Sequence, residues 1–205
     1  GASDFQVRRV RVTRSHADGL HMTGGSRRGT VTDITVSRSG DDGVAVVSYR
    51  GEPITHHITV TRARVQRQTW GRGIAVAGGT AIRFQDVEID RSSGAAIYLA
   101  SEAEWRTQPV SRVVVDRAVV TNANLRGRSR RTPVHGAVLL YNSTGTTANR
   151  DIVLRRLTVV GPPTGSGRIV GVLGAFSRVT LRDATLRGKD TPVWTRGRPV
   201  SLRVT

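Results

Sequence analysis

Short runs of alternating hydrophobic and polar residues recur along this chain at a nearly constant interval. VRVTRS begins at Val10, ITVSRS at Ile34, ARVQRQ at Ala63 and VEIDRS at Val87, so the Arg of the pattern returns after 24, 29 and 24 residues. A second run follows each of them after a short polar stretch: DGLHM, DGVAV, RGIAV and AAIYL. Alternation with a period of two predicts β-strands, and the Gly, Ser and Asp residues between the runs predict tight turns.

A chain made of such copies is predicted to stack them. A pair of short strands cannot bury its inner face alone, whereas stacked coils bury it and pair their strands in parallel. Leucine-rich repeats have a similar period, but they need a dense Leu pattern with Asn or Cys that is absent here. We therefore predict an all-β fold, a right-handed parallel β-helix. It would be a single-stranded solenoid of about seven or eight coils, forming one domain over residues 1–205.

The composition agrees with this fold and sets limits on the class of protein. Val, Thr, Arg and Gly dominate, which favours strands and turns over helices. The sequence contains no Cys, and no hydrophobic run approaches the roughly 20 residues that span a bilayer. No signal peptide is visible, and the first coil starts almost at once without a capping element. We therefore expect this sequence to be part of a longer protein.

The charge predicts an anionic partner. The chain has 32 Lys and Arg residues against 15 Asp and Glu residues, a net charge of +17. Acidic polysaccharides, cell-wall polymers and nucleic acids all suit such a surface. Because the Arg residues are spread along the chain, with one cluster over 126–131, a nucleic-acid groove is less favoured than a polysaccharide. A solvated basic surface with no partner remains an alternative.

Three aspartates are the main candidates for chemistry. Asp18 and Asp42 hold the same position in adjacent copies, and Asp41 is next to Asp42. Equivalent positions on neighbouring coils lie about 4.8 Å apart, so the three carboxylates are predicted to share one outer face. Their mutual repulsion would raise at least one pKa, as a general acid requires. The competing interpretation is that each Asp-Gly simply closes a turn.

These residues carry a family resemblance. HADG, SGDDGVAV and WGRGIAVAGG, at their observed spacing, resemble the active-site coils of β-helical glycoside hydrolases. The similarity is closest to the α-1,3-glucanase and dextranase types and more distant to polygalacturonases. It implies inverting hydrolysis of an α-linked polysaccharide, with Asp41 as general acid and with Asp18 and Asp42 activating water. Such chemistry calls for about 6.5–9.5 Å between acid and base.

Further residues are predicted to bind the sugar. Tyr49, Trp70 and Tyr98 lie near the aligned corners and are candidate aromatic platforms, whereas Phe84 is expected in the core. His21, Arg72 and His135 are the residues expected to make polar contacts. Of these, His135 is predicted to lie at the position of Asp18 in a later coil. No spacing of His and acidic residues suggests a zinc site, so we expect no metal and no cofactor.

Two other functions remain open at this stage. A polysaccharide lyase or epimerase on the same scaffold would need Arg72 or a metal to neutralise a uronate carboxylate. A non-catalytic β-helix would bind glycans or serve as a surface module. All three interpretations place the protein outside the cell or on its surface, where polysaccharides are found.

Overall fold

The structure, a computed structural model, describes residues 1–125, 136–161, 166–197 and 200–205. The described residues form strands joined by turns and loops. The strands are β1 Gln6–Thr13, β2 Leu20–Met22, β3 Arg27–Ser37, β4 Val44–Val47, β5 His56–Gln66, β6 Ile74–Ala77, β7 Gly79–Asp90, β8 Ile97–Ser101, β9 Val110–Thr121, β10 Val138–Asn142, β11 Arg150–Val160, β12 Arg168–Leu173, β13 Phe176–Arg182, β14 Thr185–Arg187, β15 Thr191–Arg196 and β16 Val200–Val204.

Two parallel sheets face each other across the core. One has the order β1-β3-β5-β7-β9-β11-β13-β16, with β14 also pairing β11, and the other has the order β2-β4-β6-β8-β10-β12-β15. A long strand and a short strand alternate along the chain, and each pairs with its equivalent in the next coil. Seven such coils can be followed through the described residues, and β16 begins an eighth. The predicted all-β parallel solenoid is confirmed.

The long strands are bent in the middle. The sequence analysis predicted short strands and did not predict this bend. In β3, Val31, Ile34 and Val36 point into the core, so two residues separate the first pair and one separates the second. The extra residue is Asp33, which has a φ of 58°. Its left-handed conformation turns the chain, so one long strand replaces two of the short strands expected in each coil.

The core consists of columns of apolar side chains, one from each coil. One column contains Val36, Val65, Ile89 and Val120, all completely buried. Phe84, at 0% exposure, lies in a neighbouring column as expected. Burying each of these side chains contributes about 1.5–3 kcal/mol, which makes the solenoid interior the main source of stability.

The short sheet is buried on its outer face as well. Ala45, Ala75, Tyr98 and Leu139 lie in one row on that face and form a second apolar cluster with Tyr49 packed against it. The loop over 102–109 approaches this cluster: Thr107 forms an antiparallel bridge with Tyr49. The loop over 102–109 therefore covers part of the outer face of β4, β6 and β8, next to the corner loops.

Three rows of corner residues with positive φ run along the solenoid. The first row contains Asp4, Arg28, His57, Ala81, Arg112, Asp151 and Arg178; the second contains Arg9, Asp33, Arg62, Asp86, Arg117, Arg156 and Asp183; the third contains Arg14, Arg38, Arg67, Arg91 and Asn122. Arg at such positions is unusual, because Gly and Asn adopt this conformation more readily. No helix among the described residues is long and apolar enough to cross a membrane.

Candidate active site

The loops that lead from long strands to short strands carry the acidic residues. The Gly19 N–H donates to the carbonyl of Asp42 at 2.9 Å, and the Gly43 N–H donates to the carbonyl of Arg72 at 2.8 Å. These bonds place Asp18, Asp42 and Arg72 in one row on three successive coils. The 24-residue offset in the sequence therefore corresponds to one step of the solenoid at this site.

The three carboxylates come together at the surface. One oxygen of each of Asp18, Asp41 and Asp42 lies within 4.8 Å of an oxygen of the other two. Asp41 is the most accessible, with 39% of its side chain exposed, against 12% for Asp18 and 10% for Asp42. The cluster thus has one carboxylate that faces solvent and two that lie deeper.

The two deeper carboxylates are held by backbone donors of the next coil. Asp18 Oδ1 accepts a hydrogen bond from the Asp42 N–H at 2.8 Å, and Asp42 Oδ1 accepts one from the Arg72 N–H at 2.7 Å. Asp18 Oδ2 lies 2.5 Å from His21 Nδ1. These bonds fix two of the three groups, and they leave the Asp41 carboxylate more freedom to meet a ligand.

Arg72 lies over the cluster and is itself anchored. Its guanidinium stacks on the Tyr98 ring, 4.2 Å from the ring centre, and its Nη2 lies 3.3 Å from Glu102 Oε1. The Tyr98 hydroxyl donates to the same Glu102 oxygen at 2.8 Å. Arg72 Nη1 is 3.6 Å from Asp42 Oδ1 and 4.0 Å from Asp41 Oδ1. A fixed positive charge therefore sits at one side of the three aspartates.

Burial and mutual repulsion change the acidity of the cluster. Burial raises the pKa of Asp42 to about 7; Arg72 opposes this rise, while Asp41 and Asp18 add to it. Burial and the negative charge of Asp18 raise the pKa of Asp41. The hydrogen bond to Asp18 raises the pKa of His21. Near neutral pH the cluster can therefore hold a proton that an isolated carboxyl would have lost.

Asp41 also has an unusual oxygen. Its Oδ1 is buried and has no hydrogen-bond partner among the described residues. Gly71 lies against this oxygen: a Cβ added at Gly71 would collide with it, and the φ of 72° at Gly71 also favours glycine. Gly71, in the third coil, therefore packs against Asp41 and keeps it beside Arg72, but it gives Asp41 Oδ1 no hydrogen bond. A buried, unsatisfied carboxylate oxygen favours the protonated state.

The three oxygens are close enough to ligate a hard cation such as Ca²⁺. However, the guanidinium of Arg72 already supplies positive charge at 3.6 and 4.0 Å from two of them. A cation would have to share this space with Arg72. The residues present therefore suit proton transfer better than metal binding.

The other residues predicted to bind the sugar differ from one another in exposure and surroundings. Tyr49 packs against the apolar cluster that contains Tyr98, the ring on which Arg72 stacks. Trp70 is 48% exposed and directly precedes Gly71, so its ring is accessible at the rim. The expectation that Tyr98 is an exposed sugar platform is wrong, because its ring is 1% exposed and lies beneath Arg72.

Two predictions fall outside the described residues. His135 is one of them, and the Arg cluster over 126–131 is the other. The next residue, Gly136, is described and comes two positions before Val138, as Asp18 does before Leu20. Since Val138 and Leu20 belong to the same row of the short sheet, this row places Gly136 at the position of Asp18.

Glu102 is the functional neighbour that sequence analysis missed. It is 9% exposed, binds both Tyr98 and Arg72, and donates its backbone N–H to Thr107 Oγ1 at 2.7 Å. It lies in the 102–109 loop, whereas the first and third coils join the corresponding strands through only four residues and one residue, so no motif shared by all coils marks it. An acidic residue four positions after a Tyr in a short strand is too common to serve as a signal.

A family comparison matches this architecture. The sequence model described as "Right handed beta helix region" matches residues 1–156, about three quarters of the chain. The chain belongs to the right-handed β-helix family. No curated protein sequence matches this β-helix at a significant level.

Solved structures similar to this β-helix include several glycoside hydrolases. A GH87 α-1,3-glucanase catalytic domain in complex with tetrasaccharides matches with a TM-score of 0.67 and 16% identity, over 95% of this chain and 45% of the enzyme chain. The GH87 α-1,3-glucanase of Streptomyces thermodiastaticus strain HF3-3 matches with a TM-score of 0.55 and 18% identity, over 99% and 43%. The β-helix thus spans less than half of these catalytic chains, and the likeness shows a common fold.

The solved α-1,3-glucanase complexes also differ from one another in a relevant way. Four of them carry a single aspartate-to-alanine substitution, at three different positions; two of these positions are adjacent, and the third precedes the first of them by 23 residues. In this β-helix, Asp41 and Asp42 are adjacent, and Asp18 precedes Asp41 by 23 residues.

Proposed function

We propose that this β-helix belongs to a glycoside hydrolase that cleaves an α-linked polysaccharide. The observation that carries the proposal is the cluster of Asp18, Asp41 and Asp42, gathered from two adjacent coils and retaining a proton near neutral pH. The fold shared with α-1,3-glucanase domains and the matching spacing of three aspartates support it. Because a polysaccharide does not enter cells intact, we also propose that the protein acts outside the cell.

Asp41 is proposed as the general acid. It is the most exposed of the three, and its pKa is raised by burial and by Asp18. It would donate its proton to the glycosidic oxygen as the bond to the anomeric carbon breaks. The leaving sugar departs as an alcohol, and Asp41 is left ionised.

Asp18 and Asp42 are proposed to hold and deprotonate the attacking water. Each has one oxygen bound to a backbone N–H, which leaves further acceptor capacity for a water. The water oxygen adds to the anomeric carbon, and its proton passes to this pair. Protons balance over one cycle, since the acid loses one, the base pair gains one, and solvent exchange restores both.

Substrate contacts are proposed for the residues around the cluster. Trp70 offers an exposed ring for stacking against a sugar face, and Tyr49 offers a hydroxyl and a partly exposed ring. Arg72 can donate to sugar hydroxyls while Glu102 holds it in place. His21 keeps the orientation of Asp18 fixed through their hydrogen bond. His135 also remains a proposed contact.

The stereochemical outcome follows from the number of carboxylates. Carboxyl groups about 5–5.5 Å apart are typical of retaining enzymes and about 6.5–9.5 Å of inverting ones. Oxygens within 4.8 Å of each other are closer than we expected for inversion. A retaining enzyme, however, needs one nucleophile beside the acid, whereas here two fixed carboxylates remain to hold water. We therefore propose inversion.

A panel of polymers tests the hydrolase proposal. The wild type should release reducing ends from an α-linked glucan such as α-1,3-glucan or dextran, with the opposite anomer visible first by NMR. Asp41→Asn should lower kcat by about 10²–10⁴-fold, because the acid is lost while the shape is kept. Asp86→Asn, which lies on the long sheet, serves as the control and should leave kcat unchanged.

Other results would point to the alternatives. An unsaturated, ultraviolet-absorbing product from polygalacturonate would indicate a lyase. Turnover of no polymer in the panel, together with glycan binding that survives Asp42→Asn, would indicate a binding module and would end the hydrolase proposal. First appearance of the retained anomer would contradict inversion and leave hydrolysis standing.

A further inference from the structure

Four arginines form a continuous row on the solenoid surface. Arg14, Arg38, Arg67 and Arg91 occupy the third corner of the first four coils, all exposed and all with φ between 56° and 58°. The backbone N–H of each arginine donates to a carbonyl on the next coil, that of the residue just before the next corner residue of the row. The four distances are 3.0, 3.1, 2.8 and 3.1 Å. The row therefore has the spacing of a parallel sheet, about 4.8 Å per residue. We call it the arginine ladder.

The ladder lacks the acidic partners that the other two corner rows have. In the second row, Arg62 binds Asp33 at 2.6 Å and Arg117 binds Asp86 at 2.5 Å. The first row has similar Asp–Arg pairs at 2.5 Å near both of its ends. Aspartate and arginine therefore alternate from Arg9 to Arg117 in the second row, and they pair at both ends of the first row.

At the third corner this neutralisation is missing. Arg14, Arg38 and Arg67 have no carboxylate within ion-pair distance in the described part of the chain. Arg91 Nε lies 3.6 Å from Asp90, whose other oxygen is already bound by Thr121 and Asn122. Like charges about 4.8 Å apart repel each other, and only solvent and salt screen them here. The ladder differs from the other arginines of the surface in its regularity, because its four members follow one another on successive coils.

The ladder also coincides with the proposed active site. Arg14, Arg38 and Arg67 open the loops that lead to Asp18, Asp42 and Arg72, and Arg91 opens the loop that leads to Ala95 in the same row. The fifth coil has Asn122 at this corner, so the row of corner arginines ends at the fourth coil. A polymer that lies along the ladder would therefore pass beside the aspartate cluster over the same coils.

We propose that the arginine ladder binds an acidic polysaccharide that runs parallel to the solenoid axis. Guanidinium groups bind carboxylates and sulfates through paired hydrogen bonds, and a regular row of them fits a regular polyanion. The proposal rests on the proposed function for its choice of polymer, but the binding can be measured without any cleavage.

A pair of matched double variants tests the ladder. Arg38→Asn with Arg67→Asn removes two ladder charges, and asparagine keeps the left-handed corner, as Asn122 does in the next coil. Arg9→Asn with Arg112→Asn removes the same charge from two exposed, left-handed arginines of the other rows. Binding of polygalacturonate is measured by titration in an Asp42→Asn background, with neutral dextran and duplex DNA as comparison polymers.

The ladder variant should bind polygalacturonate at least tenfold more weakly than its parent and show a smaller dependence on salt. The control variant should stay within about twofold. Equal losses in both variants would show diffuse charge attraction and overturn the proposal, as would the absence of polygalacturonate binding in the parent. Tighter, ladder-dependent binding of DNA would identify a nucleic-acid surface instead. Hydrolysis of neutral glucans without ladder-dependent binding of polygalacturonate would contradict this inference and leave the hydrolase proposal intact.

Discussion

At the scale of single residues, the aspartates combine two roles that sequence analysis treated as alternatives. Asp18 and Asp42 do accept backbone hydrogen bonds, as turn residues do, but the donors belong to the next coil. Each of these two carboxylates therefore joins neighbouring coils and still has acceptor capacity to spare. The turn interpretation and the chemical interpretation are compatible here, because a carboxylate has about four acceptor positions.

The raised pKa of Asp42 predicts a dependence of stability on pH. Its pKa rises from 3.8 to about 7 on folding, because burial disfavours the charge. The protonated carboxyl of Asp42 makes its full contribution to stability below about pH 4, and this contribution is lost as the pH rises to 7 and above. Asp42→Asn cannot ionise and keeps its acceptor for the Arg72 N–H. The Tm of the variant relative to wild type should therefore increase between pH 4 and pH 8.

Asp86→Asn is the control for this measurement, because the hydrogen bond from Arg117 lowers the pKa of Asp86. The stabilisation by Asp86 is present above the ordinary pKa and disappears on acidification, so this variant should lose stability relative to wild type at pH 8 more than at pH 3. A Tm difference for Asp42→Asn that does not change with pH would show that Asp42 is ionised in the folded protein throughout.

Tyr98 predicts a second effect at this scale. Its hydroxyl donates to the largely buried Glu102, so Tyr98→Phe leaves a carboxyl oxygen with only the longer contact to Arg72. We expect a loss of about 1–2 kcal/mol in the free energy of unfolding, measured by urea titration. Tyr141→Phe makes the same change at a partly exposed ring one strand away and should cost less than about 0.5 kcal/mol. Equal costs would mean that the Tyr98–Glu102 bond contributes nothing.

At the scale of strands and corners, the sequence predicted what repeats and little of what does not. The 24-residue offset placed Asp18 over Asp42 correctly, because identical strands in parallel register must keep it. The bend at Asp33 was not predicted, although two residues lie between Val31 and Ile34 where alternation allows one. Most corners of this kind carry Arg, a residue that seldom adopts a positive φ, so the residue type did not indicate the bend.

The failures at this scale share one cause. Tyr98 was predicted to be an aromatic platform for sugar because it lies near the aligned corners of the coils. Here the loop over 102–109 and Arg72 cover the outer side of its strand, and Glu102 joins them to Tyr98. Loops of this length follow the short strand in the second and fourth coils but not in the first and third, so the period does not indicate which coil makes such a contact. Contacts made by insertions have to be seen in the structure.

At the scale of the whole molecule, stacking turns a dispersed charge into an ordered one. Arginines that are 24 and 29 residues apart in sequence form a single row, whereas arginines of the second corner row pair with aspartates of neighbouring coils. The net charge of +17 predicted an anionic partner without locating it. A solenoid converts sequence period into surface pattern, because each coil contacts only its neighbours.

The same one-dimensional order predicts how stability is distributed. Val12 and Val65 occupy one column of the core, but Val65 has a coil on each side and is fully buried, whereas Val12, in the first coil, is only partly buried. Val65→Ala should cost about 2 kcal/mol, because it removes buried surface and opens a cavity. Val12→Ala should cost less than half as much. Urea titrations of the two variants, made with the same substitution in the same column, compare the positions directly. If Val12→Ala costs as much as Val65→Ala, the first coil is covered in solution and the simple stack of nearest neighbours does not describe it.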